Sequence, residues 1–204
     1  MKLPRVVEID PTAVKVPERV ISARLGFKGV GRIPEEFRNI FEKAWREITK
    51  VSTPFALLED EECVWNEYLK VREIELKSDL VRKHLKNCEI VTLMVVTLGE
   101  NVDRKIEEAH EDGDELLSYF LDGIASEFVE YIAREIEKVL RKDKEPLVGG
   151  ARISPGYGDF SLEMNKWIVE ILDGERYGIK YHPESFMLIP RKTIASIMGW
   201  RGSE

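Results

Sequence analysis

The chain contains no glutamine at all, and its 204 residues include only two cysteines and three histidines. Two cysteines as far apart as Cys63 and Cys88 form no metal-type pair, and such sparing use of thiols fits a reducing compartment. No apolar run is long enough to span a bilayer, and neither a secretory leader nor a basic amphipathic anchor can be read in it. These absences give the expectation of a cytoplasmic protein that does not engage membranes. A surplus of positive charge is missing too. The formal net charge is −7, which argues against nucleic acid as the partner, because neutralising phosphates needs clustered cations. Also missing is any Gly-x-Gly-x-x-Gly or Walker-type Lys-Ser/Thr loop: Val95 to Gly99 carries a single glycine, so a nucleotide fold of the Rossmann or P-loop kind is not expected. What is plentiful is charge of both signs, 34% of residues, a bias shared with proteins of hot environments.

Periodicity and punctuation indicate an α+β fold, a curved single domain with a twisted antiparallel sheet and long flanking helices. Strands and helices follow one another without the regular alternation of a doubly wound sheet. Arg5 to Ile9 alternates like a short strand stopped by Pro11. Phe37, Ile40, Phe41, Ala44, Trp45 and Ile48 recur at helical spacing up to Thr53-Pro54. Phe55 to Leu58 and Val71 to Leu76 suggest strands on either side of a mixed segment, with the acidic run Glu59 to Glu62 read as solvated surface. Ser78 suits the cap of a short helix. Ile90 to Val96 is nearly continuous β-branched and apolar residues, the pattern of a strand buried on both faces. A helix from Asn101 to about His110 is followed by the longest one, Glu115 to Arg141, with a stripe at Leu117, Leu121, Ile124, Phe128, Ile132, Ile136 and Val139. A further helix begins near Ser161 and stops at Gly174. The runs Gly178 to Tyr181, Phe186 to Ile189 and Thr193 to Met198 suggest a strand meander. No internal repeat is visible.

The most informative stretch is Arg152-Ile153-Ser154-Pro155-Gly156-Tyr157. Pro155 presets one dihedral and Gly156 permits a left-handed one. Beside this turn stand a guanidinium, whose planar fork matches a carboxylate, and an aromatic ring with a hydroxyl. A structural Pro-Gly turn with a surface ion pair accounts for the same residues. Asp122 lies off the stripe of the long helix beside the small residues Gly123, Ala125 and Ser126, so it faces either a groove or plain solvent. Glu184 and Ser185 either reach that groove or make structural hydrogen bonds. His84 and Cys88 stand four apart, but without a second pair the spacing describes a partly buried cysteine and a surface histidine better than a metal site. His182, beside Pro183, reads as a satisfied loop histidine.

Arg152 to Tyr157 resembles the Arg-x-x-x-Gly-Tyr signature of the activation (reactivation) domain of cobalamin-dependent methionine synthase. The resemblance continues in order through Trp167, Gly178-Ile179-Lys180-Tyr181, Pro183-Glu184-Ser185-Phe186-Met187, Pro190 and Ala195-Ser196-Ile197-Met198-Gly199-Trp200. It is strong over the last quarter of the chain. It sets out 1–204 as one such domain, with 1–77 weakly matched and 78–204 as its core. It implies an extended groove for S-adenosylmethionine, in which Arg152 holds the carboxylate, Tyr157 lies close to the ligand, and Ser154, Pro155 and Gly156 contribute backbone groups. Asp122, Glu184 and Ser185 complete the implied set. In that family a corrinoid that has oxidised to inert Co(II) is rescued by reduction from a flavodoxin-like donor, and methyl transfer from the sulfonium traps the Co(I) product. The chain has no Asp-x-His-x-x-Gly motif to hold a corrinoid itself. The resemblance therefore implies action in trans, on cobalamin carried by a separate methionine synthase. Two departures stand out: Arg201 follows the closing Gly-Trp where the family has a Tyr, and the family's acidic pair is not evident around Asp122, where Ser126 and Glu127 follow.

Overall fold

Order in the fold begins where the sequence alternates. In the computed structural model, which describes residues 3–202 other than Lys28 and Val30, the strand β1 (Arg5–Glu8) leads to a short helix α1 (Glu18–Arg24) and the amphipathic α2 (Arg38–Val51). The strands β2 (Phe55–Trp65), β3 (Leu69–Val71) and β4 (Ile74–Leu76) come next, then α3 (Asp79–His84) and β5 (Ile90–Thr97). Two helices follow, α4 (Glu100–Glu111) and the 29-residue α5 (Glu115–Asp143). The chain ends with β6 (Val148–Gly149), α6 (Met164–Ile171), the hairpin strands β7 (Lys180–Tyr181) and β8 (Leu188–Ile189), and β9 (Thr193–Arg201). No helix among the described residues is long and apolar enough to cross a membrane.

One antiparallel sheet runs β4-β3-β2-β5-β9-β6, with β1 sharing an edge of β2 with β3. Side-chain alternation then divides the core. Ala56, Leu58, Met94, Val96, Met198 and Trp200 face one layer, where α1, α2, α4 and α5 pack; Leu57, Leu93, Val95, Ala195 and Ile197 face the other, closed by α3 and α6. The central strand β5 is therefore covered on both faces, as its unbroken apolar run indicates. This is the α+β fold with a twisted antiparallel sheet that the sequence suggests.

Several local expectations are corrected. The acidic run Glu59 to Glu62 is not loose surface but the middle of β2. Glu59 is buried there, with Arg72 donating to it at 3.0 Å and also reaching Glu61, while Asp60 accepts from Thr92 and pairs with Lys144. Cross-strand cations supply what solvent otherwise would. Val71 to Leu76 is two strands, because Arg72 turns the chain at a φ of 52°. On the long helix Leu140 is buried and Val139 exposed, since the 3.6-residue period carries the stripe one position on. Instead of continuing a meander, β9 leaves the β7–β8 hairpin and joins β5 along its full length. Gly149 pairs with Trp200 in β6 where only a helix stop is legible. A Cβ on Gly149 would lie 2.6 Å from the Trp200 ring, so only glycine fits that ladder position.

Candidate functional site

The bend from Ile153 to Phe160 is held at four points. Ile153 exchanges two backbone hydrogen bonds with Ile197 of β9, at 2.9 and 2.8 Å. Gly156, at a φ of 89°, donates its N–H to the carbonyl of Phe160 at 2.7 Å, and the Phe160 ring is buried in the α3/α6 layer. Asp159 accepts from Ser78 Oγ at 2.8 Å and from the backbone N–H groups of Asp79 and Leu80, so one carboxylate caps α3 and fastens the bend to it. Those backbone N–H groups and the Ser78 hydroxyl hold the Asp159 carboxyl down at about 2. The fourth point is Arg152, just before the bend.

Arg152 is turned toward α5. Its Nε donates to Glu137 at 2.6 Å and its Nη2 to Glu130 at 2.8 Å, and only 13% of the side chain is exposed. Burial works against the guanidinium charge, but the two carboxylates outweigh it and hold the group above its ordinary value. Glu130 and Glu137 are seven apart, two helical turns, so they share one face of α5. Arg141, one turn further on, donates to the carbonyls of Gly149 and Gly150 and secures the strand that precedes the bend.

Between α3, α5 and the bend lies an open trough of about 400 Å³, lined by Leu80, His84, Glu130, Arg152, Ser154 and Tyr157 among others. Tyr157 stands at its lip, 63% exposed. One wall is thus apolar and aromatic, and the other carries the Glu130 carboxylate beside the Arg152 guanidinium, which Glu137 holds from outside the lining. With five N–H donors, an Arg spending one on each glutamate keeps others for a carboxylate. The arrangement suits a ligand that bears both a carboxylate and positive charge.

The site residues expected from the sequence fall into two groups. Arg152, Ser154 and Tyr157 meet at the trough, with Pro155 and Gly156 forming the turn between them. Asp122 does not line it. Its carboxylate accepts from Lys192 at 2.7 Å, tying α5 to the start of β9, and eight residues separate it from Glu130, roughly 12 Å along a helix. Glu184 and Ser185 lie in the exposed β7–β8 loop, where their backbone N–H groups both point at Nδ1 of His182, and they do not line the trough either. His182 is the satisfied loop histidine its context suggests. Glu130 and His84 are the trough residues that sequence reasoning passes over as lining, and Glu137 is the partner of Arg152 behind them that it also misses. The available signal is the 130–137–141 spacing of charged residues on one face of α5, opposite its apolar stripe. No cluster of three or more metal-ligating side chains exists among the described residues.

No family model matches the chain, and no curated protein matches it. Its structure is nevertheless similar to a crystal structure of the MetH reactivation domain bound to AdoHcy, with a TM-score of 0.73. The likeness covers 98% of this chain and 79% of that one, at 15% sequence identity. At that identity the likeness is one of fold, and it extends over the N-terminal residues that the motifs leave weakly matched. The resemblance read from Arg152 to Trp200 therefore holds for the architecture of the chain as a whole: this protein has the fold of a methionine synthase reactivation domain.

Proposed function

We propose that the trough binds S-adenosylmethionine, and that the chain supports reductive methylation of cobalamin carried in trans by a separate methionine synthase. The observation that carries this reading is the Glu130–Arg152 pair, braced by Glu137, lining one open trough with Tyr157, in a fold shared with a domain whose crystal structure contains AdoHcy. S-adenosylmethionine bears one carboxylate and two positive centres, the ammonium and the sulfonium. The Arg152 guanidinium and the Glu130 carboxylate complement that set, with the spare N–H groups of Arg152 on the ligand's carboxylate and Glu130 on its positive side. Tyr157 covers the apolar body of the ligand at the lip.

The work asked of these residues is placement. The transferable methyl must leave the trough toward a docked partner, and the four-point bend fixes the ligand without a segment that has to order on binding. No proton changes hands in methyl transfer from a sulfonium, so the chain's groups act by orienting and by charge. A flavodoxin-like protein is the proposed electron donor, and the cobalamin stays in the partner's module.

Calorimetric titration with S-adenosylmethionine tests the site. Wild type should bind, and Tyr157→Ala, an exposed position that carries no core packing, should weaken binding at least about fivefold, within the range set by ring-face contacts. Absence of binding in wild type sinks the site. A methionine synthase lacking its own reactivation domain, inactivated by oxidation, should regain activity only when this chain, S-adenosylmethionine and a reductant are all supplied. A ligand-binding chain that gives no such recovery would point to another corrinoid-dependent methyltransferase as the partner. Recovery without the ligand would point to a docking role alone, a reading that Arg201, exposed at the end of β9 in place of the family's Tyr, favours.

A further inference from the structure

Cys63 and Cys88 are separated by 24 intervening residues in the sequence, yet their sulfurs lie 3.4 Å apart. β2 and β5 bring this about. Their ladder runs out at Glu62 opposite Ile90, and one step beyond it the Cys63 N–H donates to the Glu89 carbonyl at 3.1 Å. Cys63 then faces the α3/α6 layer, partly buried, while Cys88 is buried beneath it. Trp65 donates to the Cys88 carbonyl at 3.2 Å, which fixes the turn after α3. Gly199 of β9 leaves the room the thiol occupies, since a Cβ there would sit 3.0 Å from that of Cys88. The hydrogen bond between the two sulfurs, with Cys63 as donor, lowers the Cys88 pKa and raises that of Cys63.

We infer that Cys63 and Cys88 are a redox pair, closing to a disulfide that staples the turn after α3 to β2. Drawing the sulfurs from 3.4 Å to the ~2 Å of a bond is a small displacement for two adjacent side chains. With a small-molecule disulfide as oxidant, the buried Cys88 is out of reach, so the less buried Cys63 gives up its proton to solvent, attacks first and expels one oxidant thiol. Cys88, losing its own proton, then attacks the Cys63 sulfur and expels the second. The two protein thiols lose two protons and two electrons, and the oxidant's disulfide becomes two thiols. The same α3 presents Leu80 and His84 to the trough, and His84 also lines the recess over Cys88, so the staple stiffens one wall of the ligand site. The inference stands apart from the proposed function, because thiol chemistry is read without any sulfonium ligand.

The test treats the full chain with oxidised glutathione under native conditions, then alkylates under denaturing ones and weighs it. Wild type should lose the mass of two hydrogens and take up no alkylating agent. Cys88→Ser should stop at one glutathione adduct on Cys63, and Cys63→Ser, with its remaining thiol buried, should react far more slowly. The closed form should melt about 4–10 °C higher than the reduced one and return to its melting temperature on reduction. Wild type that accumulates a stable glutathione adduct, or keeps two free thiols after Cys88→Ser has been fully labelled, overturns the pair. A disulfide that forms without raising the melting temperature overturns the staple.

Discussion

Removing the Arg152 guanidinium isolates what holds the bend to α5. Arg152→Ala leaves Glu130 and Glu137, with side chains 29% and 20% exposed, facing each other without their shared cation. Breaking a fully buried pair costs about 3–5 kcal/mol. Both glutamates keep some water here, so the lower part of that range applies, and about 3 kcal/mol is the working figure. For a chain of this size each kcal/mol lowers the melting temperature by about 2–4 °C, so a fall of roughly 6–12 °C is expected by calorimetry or circular dichroism. Charge repulsion, not lost packing, should dominate. Glu130→Gln placed on top of Arg152→Ala should therefore recover part of the loss, whereas Glu130→Gln alone should destabilise. A cycle in which the two effects simply add, or a fall under about 2 °C for Arg152→Ala, would show that the cluster is a solvated surface pair and that the bend is held by β9, Phe160 and the Asp159 tether to α3 without it.

The remaining expectations use other parts of the same frame. The Asp159 carboxyl is held at about 2 in the folded chain against an ordinary 3.8, so its contribution is complete above that ordinary value and is lost as pH falls toward about 2. Asp159→Asn should flatten that acid limb of the stability curve, and amide exchange in α3 should speed up; an unchanged acid limb refutes the capping role. Gly149→Ala must push the Trp200 ring or Met198 aside and should cost about 1–3 kcal/mol in denaturant unfolding, against almost nothing for Gly113→Ala if space alone mattered. Gly113 has a φ of 77°, however, so the clean control is a solvent-facing helix position such as Lys138→Ala. In ligand titrations the cluster's one surplus negative charge should favour S-adenosylmethionine over uncharged-sulfur S-adenosylhomocysteine. A charge about 6 Å away at a partly wet site is worth on the order of 1 kcal/mol, about fivefold in affinity, and that preference should shrink with added salt. Equal affinities at low salt would place the sulfonium away from Glu130.

Much of the frame is legible in the sequence because it follows from periodicity. β5 shows itself by an unbroken apolar run, α5 by its stripe, α3 by Ser78, which does accept from the Val81 N–H as a cap should. Gly123 signals a close approach, and Leu25 of the α1 end occupies the space. The misses among charged residues have one cause. Glu59 to Glu62 and the charged face of α5 are polar residues whose partners, Arg72 and Arg152, come from distant segments. Nothing local distinguishes a carboxylate awaiting a buried cation from one in water. Cys63 and Cys88 are invisible as a pair for the same reason, since only the β2–β5 register brings them side by side.

That cause also explains why the motif shows only half of the site. Arg152 to Tyr157 is contiguous, so the bend and its ring can be read along the chain. The bend nonetheless takes its direction from elsewhere. Asp159 reaches α3, Ile153 reaches β9 and Arg152 reaches α5, three elements separated by long stretches of sequence. Arg152 and Ile153 fix the start of the bend and Asp159 its end, and the Tyr157 ring, between them, is left exposed at the lip. If the tethers rather than the six motif residues set the ring's position, loosening one of them should act at a distance. Asp159→Asn should weaken S-adenosylmethionine binding although Asp159 lies outside the trough lining, and a slower association with unchanged dissociation would mark a bend that must order before it binds. Unaltered binding would mean that the turn made by Pro155 and Gly156 is rigid enough by itself.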